Sequence, residues 1–183
     1  MPGAETHDRI ALYAAGALIV PGYLTLRYGL GDAPEAAYSG TMLLIGAHLF
    51  GSWLLSPDLD LDSKIDDRWG PFRPIWVPYM RLIPHRHFLS HSGISGILRL
   101  VYLYLVIVGI LAMLGFGAYL LNVDVAYHIT LTNWLWDTLR SGSRPAILLI
   151  AGVVISDLVH VISDRIDTRR KRMFGRRRKS GRR

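Results

Sequence analysis

The chain has 183 residues, of which 51% are apolar, and a positive mean hydropathy. This length suits one domain, and the composition is unusually apolar for a soluble protein of this size, so we expect an integral membrane protein. Because the chain has no cysteine, disulfides, thiolate nucleophiles and cysteine-ligated zinc are excluded, and any metal must be held by nitrogen or oxygen donors.

The net charge of +7 is unevenly distributed along the chain. Residues 165–183 contain eleven Lys/Arg and one Asp, which leaves ten basic and thirteen acidic residues in 1–164. A basic segment directly after an apolar helix favours a cytoplasmic tail on anionic lipid headgroups over a nucleic-acid-binding segment. We therefore divide the chain into a helical domain, 1–164, and a disordered basic tail, 165–183.

Four apolar segments come close to the roughly 20 residues that a helix needs to cross a bilayer. They are residues 10–29, 39–56, 93–121 and 146–164. Pro21 in the first is tolerated in a membrane helix, and Pro57 ends the second at Ser56. The third is long enough to tilt, and Arg99 in its first turns could snorkel to the interface.

The first apolar segment has an alternative interpretation as a cleaved signal peptide. Its length and the lack of a nearby small-residue cleavage site favour a retained helix. Between the third and fourth segments, residues 122–145 carry apolar side chains at helical spacing, which predicts an interfacial helix. The sequence thus predicts an all-α, polytopic membrane protein with about four transmembrane helices.

The distribution of basic residues predicts the orientation. Lys and Arg are frequent in 57–92 and in the C-terminal tail, whereas 30–38 has none. Basic flanks stay on the cytoplasmic side, so we expect both termini in the cytoplasm and the protein in the plasma (inner) membrane. Small residues in the third segment permit close helix packing and leave oligomer formation open.

This topology brings ionisable groups from distant parts of the sequence to the cytoplasmic end of the bundle. His7 precedes helix one, Asp58 follows helix two, and His91 precedes helix three. Asp157 and His160 fall near the end of helix four, three residues apart and on one helical face that Asp164 continues. Charged groups inside a span usually have a function, so this end is our candidate site.

Two polar segments contribute further donors, and each also has a simpler interpretation. In Pro57–Asp62, an extended chain would aim Asp58, Asp60 and Asp62 in one direction, although the run could equally be a solvated or calcium-like loop. Residues 85–91 could place several imidazoles together, or could be a basic, lipid-facing segment. His7 alone could be solvent-exposed, and His48 is better explained as a hydrogen-bonded packing residue.

These motifs resemble a family of uncharacterised integral membrane proteins regarded as metal-binding, distantly similar to membrane-bound metal-dependent hydrolases. The resemblance covers most of the chain up to helix three plus the late Asp/His pair. It rests on Thr6-His7-Asp8-Arg9, Pro57-Asp58-Leu59-Asp60, Arg68-Trp69-Gly70, Trp76 through Tyr79, His85-Arg86 with Phe88-Leu89-Ser90-His91, and Asp157 with His160. His87 is an additional imidazole that this pattern does not assign.

The resemblance implies a set of seven metal ligands: His7, Asp58, Asp60, His85, His91, Asp157 and His160. Seven donors exceed the needs of one tetrahedral ion, which implies either two ions or one ion with an outer shell of orienting carboxylates. Nitrogen and oxygen donors suit a divalent ion, zinc first, with manganese or iron as alternatives.

The leading functional hypothesis is a metal-dependent hydrolase that cleaves an ester or phosphoester near the cytoplasmic membrane face. Asp60 would orient the attacking water and Arg86 would neutralise an anionic substrate, either a phospholipid or a soluble phosphoester. The alternative is a non-enzymatic, metal-stabilised scaffold or interaction protein. A metal-ion transporter is a weaker third hypothesis, because transport sites tend to lie at the midplane, where only His48 falls.

Overall fold

We describe the protein from a computed structural model. The structure describes residues 4–60, 64–83, 92, 95–123, 129–130, 133, 136–137, 140 and 143–180. In this part of the chain every regular element is helical and there is no strand. The α-helices are α1 (Ala4–Leu24), α2 (Pro34–Trp53), α3 (Lys64–Asp67), α4 (Val77–Leu82), α5 (Ser95–Leu120) and α6 (Ser143–Ser180).

The ends of the first two helices differ in part from the sequence prediction. Helix α1 begins at Ala4, so His7 lies in its first turns instead of preceding it. Beyond Leu24 the chain continues as a π-helix, Thr25–Gly29. Helix α2 begins with Pro34, whose fixed φ suits the first helical turn, and ends at Trp53, shortly before Pro57.

Helix α2 lies at the centre of the bundle and packs against both α1 and α6. The contact with α6 is close because Gly152 has no side chain: a Cβ there would lie 2.5 Å from the Leu44 carbonyl oxygen. Helix α5 packs against α6 through its first turns, where Ser95, Gly96 and Arg99 are buried. The tightest helix contacts thus lie around α2 and at the start of α5.

A second packing centre lies beneath the segment that follows α2. This centre consists of four buried side chains: Leu55, Leu59, Trp76 and Tyr79. Tyr102 of α5 packs on the rings of Trp76 and Tyr79. Leu59 reaches this centre from a 3-10 helix, Pro57–Asp60, in which the Leu59 N–H donates a hydrogen bond to the Ser56 carbonyl. The predicted extended conformation of this segment is therefore wrong.

Within the described part of the chain, three helices are long and apolar enough to cross a membrane: Glu5–Gly29, Ser95–Leu120 and Arg144–Met173. Much of the apolar surface of α5 is exposed, including Leu105, Met113 and Phe116. Helix α2, which corresponds to the second predicted span, is not among the three. Most of the predicted interfacial helix lies outside the described residues.

The basic tail does not have the disordered conformation that we expected. Helix α6 continues through the tail as far as Ser180. Between 165 and 174 the sequence has neither glycine nor proline, and Lys171 pairs with Asp167 one turn earlier, at 2.6 Å. Good helix formers and an i,i+4 ion pair favour continuation of the helix beyond the apolar segment.

Candidate metal centre

Three side chains from distant parts of the sequence meet at one end of the bundle. His7 comes from the start of α1, Asp58 from the 3-10 helix after α2, and His160 from α6. One potential ligand atom from each lies within 4.8 Å of the other two. His160 is buried, whereas His7 and Asp58 keep part of their surface accessible, so the cluster lies at the rim of the bundle.

The two imidazoles are stacked and face carboxylates on the same side. Their ring centroids are 4.2 Å apart with an interplanar angle of 16°. His7 Nε2 lies 3.3 Å from Asp164 Oδ1, and His160 Nε2 lies 3.7 Å from both Asp58 Oδ1 and Asp164 Oδ2. Asp164 therefore approaches both imidazoles and becomes a fourth candidate donor.

Serine hydroxyls contact the opposite ring nitrogens. Ser163 Oγ lies 3.3 Å from His7 Nδ1, and Ser56 Oγ lies 3.5 Å from His160 Nδ1. Contacts of this type fix ring orientation and leave the other nitrogen to act as a ligand. Both rings thus direct Nε2 toward the carboxylates, in the arrangement expected for histidine ligands with outer-shell partners.

A small cavity lies beneath the imidazoles. It measures about 10 Å³ and is lined by His7, Ser52, Ser56, Ser156 and His160, among others. Ser52 donates a hydrogen bond to Ser156 across the cavity, with an oxygen distance of 3.1 Å. This volume is close to the minimum that one water molecule needs, so the interior side of the cluster is almost completely filled by protein.

A charged contact braces the outer side of the cluster. Arg68 donates from Nη2 to Asp8 Oδ2 at 2.7 Å and from Nη1 to the Trp53 carbonyl at 3.1 Å. Because Asp8 follows His7 on α1 and Trp53 ends α2, the guanidinium group holds these two helix ends together. Asp8 therefore positions α1 through its contact with Arg68.

Asp157 lies one turn from His160, but the structure places it in a different environment. Its Oδ1 accepts a hydrogen bond from Arg99 Nη2 at 2.6 Å, and its Oδ2 accepts one from Ser95 Oγ at 2.8 Å and one from the Gly96 backbone N–H. Neither Asp157 nor Arg99 has measurable exposure. The partner that a buried carboxylate requires is therefore an arginine of α5.

This pair changes two of the expectations from sequence. Arg99 does not snorkel to the interface, because its guanidinium is committed to Asp157 and to the Leu55 carbonyl, 2.6 Å from Nε. A separation of three residues leaves two side chains about 60° apart around a helix. Consequently Asp157 faces α5 while His160 faces α1 and the 3-10 helix.

Four of the remaining predicted site residues fall outside what the structure describes. Asp60 belongs to the 3-10 helix, but its side chain lies outside the described set. His85, Arg86 and His91 also lie outside the described residues. His48 is fully buried with Nε2 3.1 Å from the Ala11 carbonyl oxygen, which confirms its interpretation as a packing residue.

The donor set itself fits a divalent ion. Two imidazoles and two carboxylates provide only nitrogen and oxygen donors, as zinc, manganese or iron(II) prefer. Asp58 and Asp164 together carry two negative charges, which a divalent cation would balance. The described residues thus contain a coherent candidate site with matching charge, donor type and outer-shell contacts.

Comparison with known proteins supports a metal site. Residues 2–174 match the sequence profile of a family described as "Uncharacterized metal-binding protein (DUF2227)". The chain belongs to this family. A DUF2227 match of this extent covers the three clustered residues and Asp164. An "Uncharacterized protein" of Aquifex aeolicus (strain VF5) is 30% identical over 126 residues, which are 68% of this chain and 89% of that protein. No solved structure matches the chain.

Sequence reasoning did not include Asp164 or the two serines among the functional residues of this DUF2227 protein. Asp164 had a signal, because it lies four residues after His160 and shares its helical face. Ser56 and Ser163 had no comparable signal, since a serine near a helix end is common and its contact with a histidine depends on tertiary packing. The structure therefore enlarges the candidate centre on one side while it separates Asp157 from it.

Proposed function

We propose that this protein is a membrane-embedded metalloprotein whose ion is held by His7, Asp58 and His160, with Asp164 as a further donor or an orienting carboxylate. The observation that carries the proposal is the meeting of donors from three separate elements within 4.8 Å. The metal-binding family supports the same conclusion. Zinc suits the mixed nitrogen and oxygen donors best, and manganese and iron are alternatives.

Exposed apolar surface supports a membrane location. Helix α5 contains one charged residue, Arg99, and many of its apolar side chains are exposed. Such a surface is unusual for a protein surrounded by water. Helix α2, with 20 residues, is about 30 Å long and matches the hydrocarbon core. Because α1 and α6 pack on α2, this helix can be less apolar than a span that faces lipid. We propose that α2 crosses the membrane in addition to the three more apolar helices.

The proposed orientation places the metal centre at the cytoplasmic face. The basic end of α6 and the start of α1 lie at the same end of the bundle as the cluster, and positive residues favour the cytoplasmic side. Both termini would then be cytoplasmic, in the plasma (inner) membrane. The basic extension of α6 would contact anionic lipid headgroups, where each Lys or Arg contributes about 1 kcal/mol.

The chemistry best suited to this arrangement is hydrolysis of an ester or phosphoester. A divalent ion bound there would supply Lewis-acid activation of water and stabilisation of developing negative charge. His7, Asp58 and His160 make three protein donors, the number that leaves a position open in catalytic zinc sites. Asp164 or Asp60 would accept the proton from the attacking water.

Arg86 would neutralise an anionic substrate at the same face. Because the proposed centre lies at the rim of the bundle, a substrate could reach it from the membrane interface or from the cytoplasm. Partial exposure of His7 and Asp58 supports access from outside the bundle, since a fully enclosed site would require helix movement before each turnover.

One observation favours a second candidate function, a metal-stabilised scaffold. The three clustered donors come from three elements, so an ion would tie the ends of α1, α2 and α6 together. If Asp164 completed four protein donors, the site would be closed in the manner of structural zinc. The protein would then use its basic helix extension to recruit a partner, without catalysis.

Metal content of the detergent-purified protein tests the proposal. Elemental mass spectrometry should find about one divalent ion per chain in the wild type and a large loss in His7→Ala/His160→Ala. His48→Gln is the matched control, because it also removes a buried imidazole but lies outside the cluster. Equal metal content in wild type and the double variant, after zinc addition, would refute the assigned site.

A crystal structure of the zinc-loaded protein would separate the two candidate functions. Three protein donors plus a water-derived oxygen would support the hydrolase, and four protein donors would support the scaffold. Hydrolysis of nitrophenyl acetate and nitrophenyl phosphate should be measured in parallel. Absence of both activities from protein that contains one ion per chain would leave the scaffold as the better account.

A further inference from the structure

A groove with three arginines runs along α6 directly beyond the candidate metal centre. It has a volume of about 340 Å³, and its lining residues are Val161, Asp164, Arg165, Thr168, Arg169 and Arg172. The arginines are four and three residues apart, so they share one face of the helix and extend over about 10 Å of its length. All three are exposed. We call this surface the arginine groove.

The arginines of the groove differ from several other arginines of the described residues in their lack of acidic partners there. Within the described parts of the chain, no carboxylate forms an ion pair with Arg165, Arg169 or Arg172. By contrast, other arginines do form such pairs: Arg68 with Asp8, Arg73 with Asp66, Arg99 with Asp157 and Arg144 with Asp32. Like charges one turn apart repel each other, so an anion in the groove would relieve unfavourable electrostatics.

Asp164 connects the arginine groove to the metal centre. It lines the groove, and its carboxylate lies 3.3 Å from His7 Nε2 and 3.7 Å from His160 Nε2. The Asp164 carboxylate faces the imidazoles of His7 and His160. The other charged groups that line the groove are the three guanidinium groups, so the groove is positively charged. A ligand bound at the Asp164 end of the groove would lie next to the metal ligands His7 and His160.

We propose that the arginine groove binds the phosphate group of an anionic phosphoester and so defines the substrate class of the metal centre; this inference rests on the proposed hydrolase function. Guanidinium groups form bidentate, charge-assisted hydrogen bonds to phosphate oxygens. Thr168 adds a hydroxyl donor at the same surface. A phosphate with up to two negative charges uses this array more fully than a single carboxylate does.

Phosphate binding tests the proposal with the full chain in detergent. Isothermal titration calorimetry would measure the affinity of zinc-loaded protein for inorganic phosphate and, separately, for dihexanoyl phosphatidic acid. The groove variant is Arg165→Gln/Arg169→Gln/Arg172→Gln. The matched control, Arg176→Gln/Arg177→Gln/Arg178→Gln, removes the same charge further along the basic segment. These exposed groove substitutions should leave the unfolding temperature unchanged.

We expect phosphate affinity to fall at least about tenfold in the groove variant and less than about twofold in the control. Equal weakening in the two variants would mean that net charge alone attracts phosphate, and would overturn the proposal. Unchanged affinity in the groove variant would overturn it as well. Tighter binding of the lipid than of inorganic phosphate would identify a headgroup as the source, and equal binding would identify a soluble phosphoester.

Metal content, measured on the same samples, separates failure of this inference from failure of the proposed function. Stoichiometric zinc with no groove effect would refute the groove assignment and leave the metal centre intact. If the wild-type protein bound no zinc but bound phosphate, and the groove variant lost that phosphate binding, the anion site would be supported and the hydrolase refuted. The groove variant should also raise KM for nitrophenyl phosphate while leaving that for nitrophenyl acetate unchanged.

Discussion

The buried pair of Arg99 and Asp157 leads to the most decisive prediction, because sequence reasoning assigned Asp157 to the metal. The structure gives this carboxylate hydrogen bonds from Arg99, Ser95 and the Gly96 backbone. Replacing Asp157 with alanine would leave those donors and one guanidinium charge uncompensated in the interior. Removal of one member of a buried ion pair typically costs about 3–5 kcal/mol.

The assay is thermal unfolding of the detergent-purified protein, combined with metal analysis. For a chain of this size, 3–5 kcal/mol corresponds to a decrease in Tm of roughly 6–20 °C. Asp157→Asn should decrease Tm less, since the amide keeps the shape and part of the hydrogen bonding, and it should retain the ion of wild type. The double variant Arg99→Met/Asp157→Leu should recover much of the loss, because an apolar pair leaves no buried charge.

One combination of results would refute this reasoning. If Asp157→Asn lost the metal while its Tm stayed at the wild-type value, Asp157 would be a ligand and not a structural partner of Arg99. His160→Ala serves as the positive control, since it should lose the metal. An Asp157→Ala variant with unchanged Tm would likewise show that the α5–α6 contact does not depend on this ion pair.

Three further predictions follow from individual contacts. Gly152→Ala should destabilise the protein by about 1–3 kcal/mol, because the new Cβ would lie 2.5 Å from the Leu44 carbonyl oxygen. Gly109→Ala is the control: a Cβ there would have no atom within 4 Å, so this variant should be slightly more stable than wild type. Equal Tm changes in the two variants would contradict this. Ser163→Ala should weaken zinc affinity about tenfold, measured by chelator competition, because its hydroxyl orients His7; wild-type affinity would exclude that role. Acidification should release the ion as protons compete for the imidazoles, and metal retention independent of pH would argue against histidine ligands.

The comparison of His160 with Asp157 shows where sequence reasoning was sufficient and where it was not. Helical spacing placed both near the end of the fourth apolar segment, and in the structure they lie within α6, which continues to Ser180. The spacing could not determine which neighbour each side chain would meet, because a difference of about 60° around a helix selects a different partner element. The ion-pair partner of Asp157 is Arg99, which lies 58 residues earlier in the sequence.

The segment after α2 illustrates a second limit. Alternation of aspartate and leucine in Pro57–Asp62 is compatible with an extended chain, so local pattern favoured that conformation. In the structure Pro57–Asp60 is instead a 3-10 helix, which places Leu59 against Leu55, Trp76 and Tyr79. The aromatic residues that decide this lie some twenty residues later, and no local property of the aspartates encodes the contact.

Sequence by itself determined that the protein is helical, strongly apolar and free of cysteine, and that His7, Asp58 and His160 lie at one end of the bundle. These properties depend on composition, on the length of apolar segments and on helical periodicity, all of which are local. Tertiary structure decided which of the polar residues meet: His7, Asp58, His160 and Asp164 in one cluster, and Arg99 with Asp157 in another. Side-chain partners depend on how helices rotate and approach one another, and that is fixed by close packing between segments far apart in the chain.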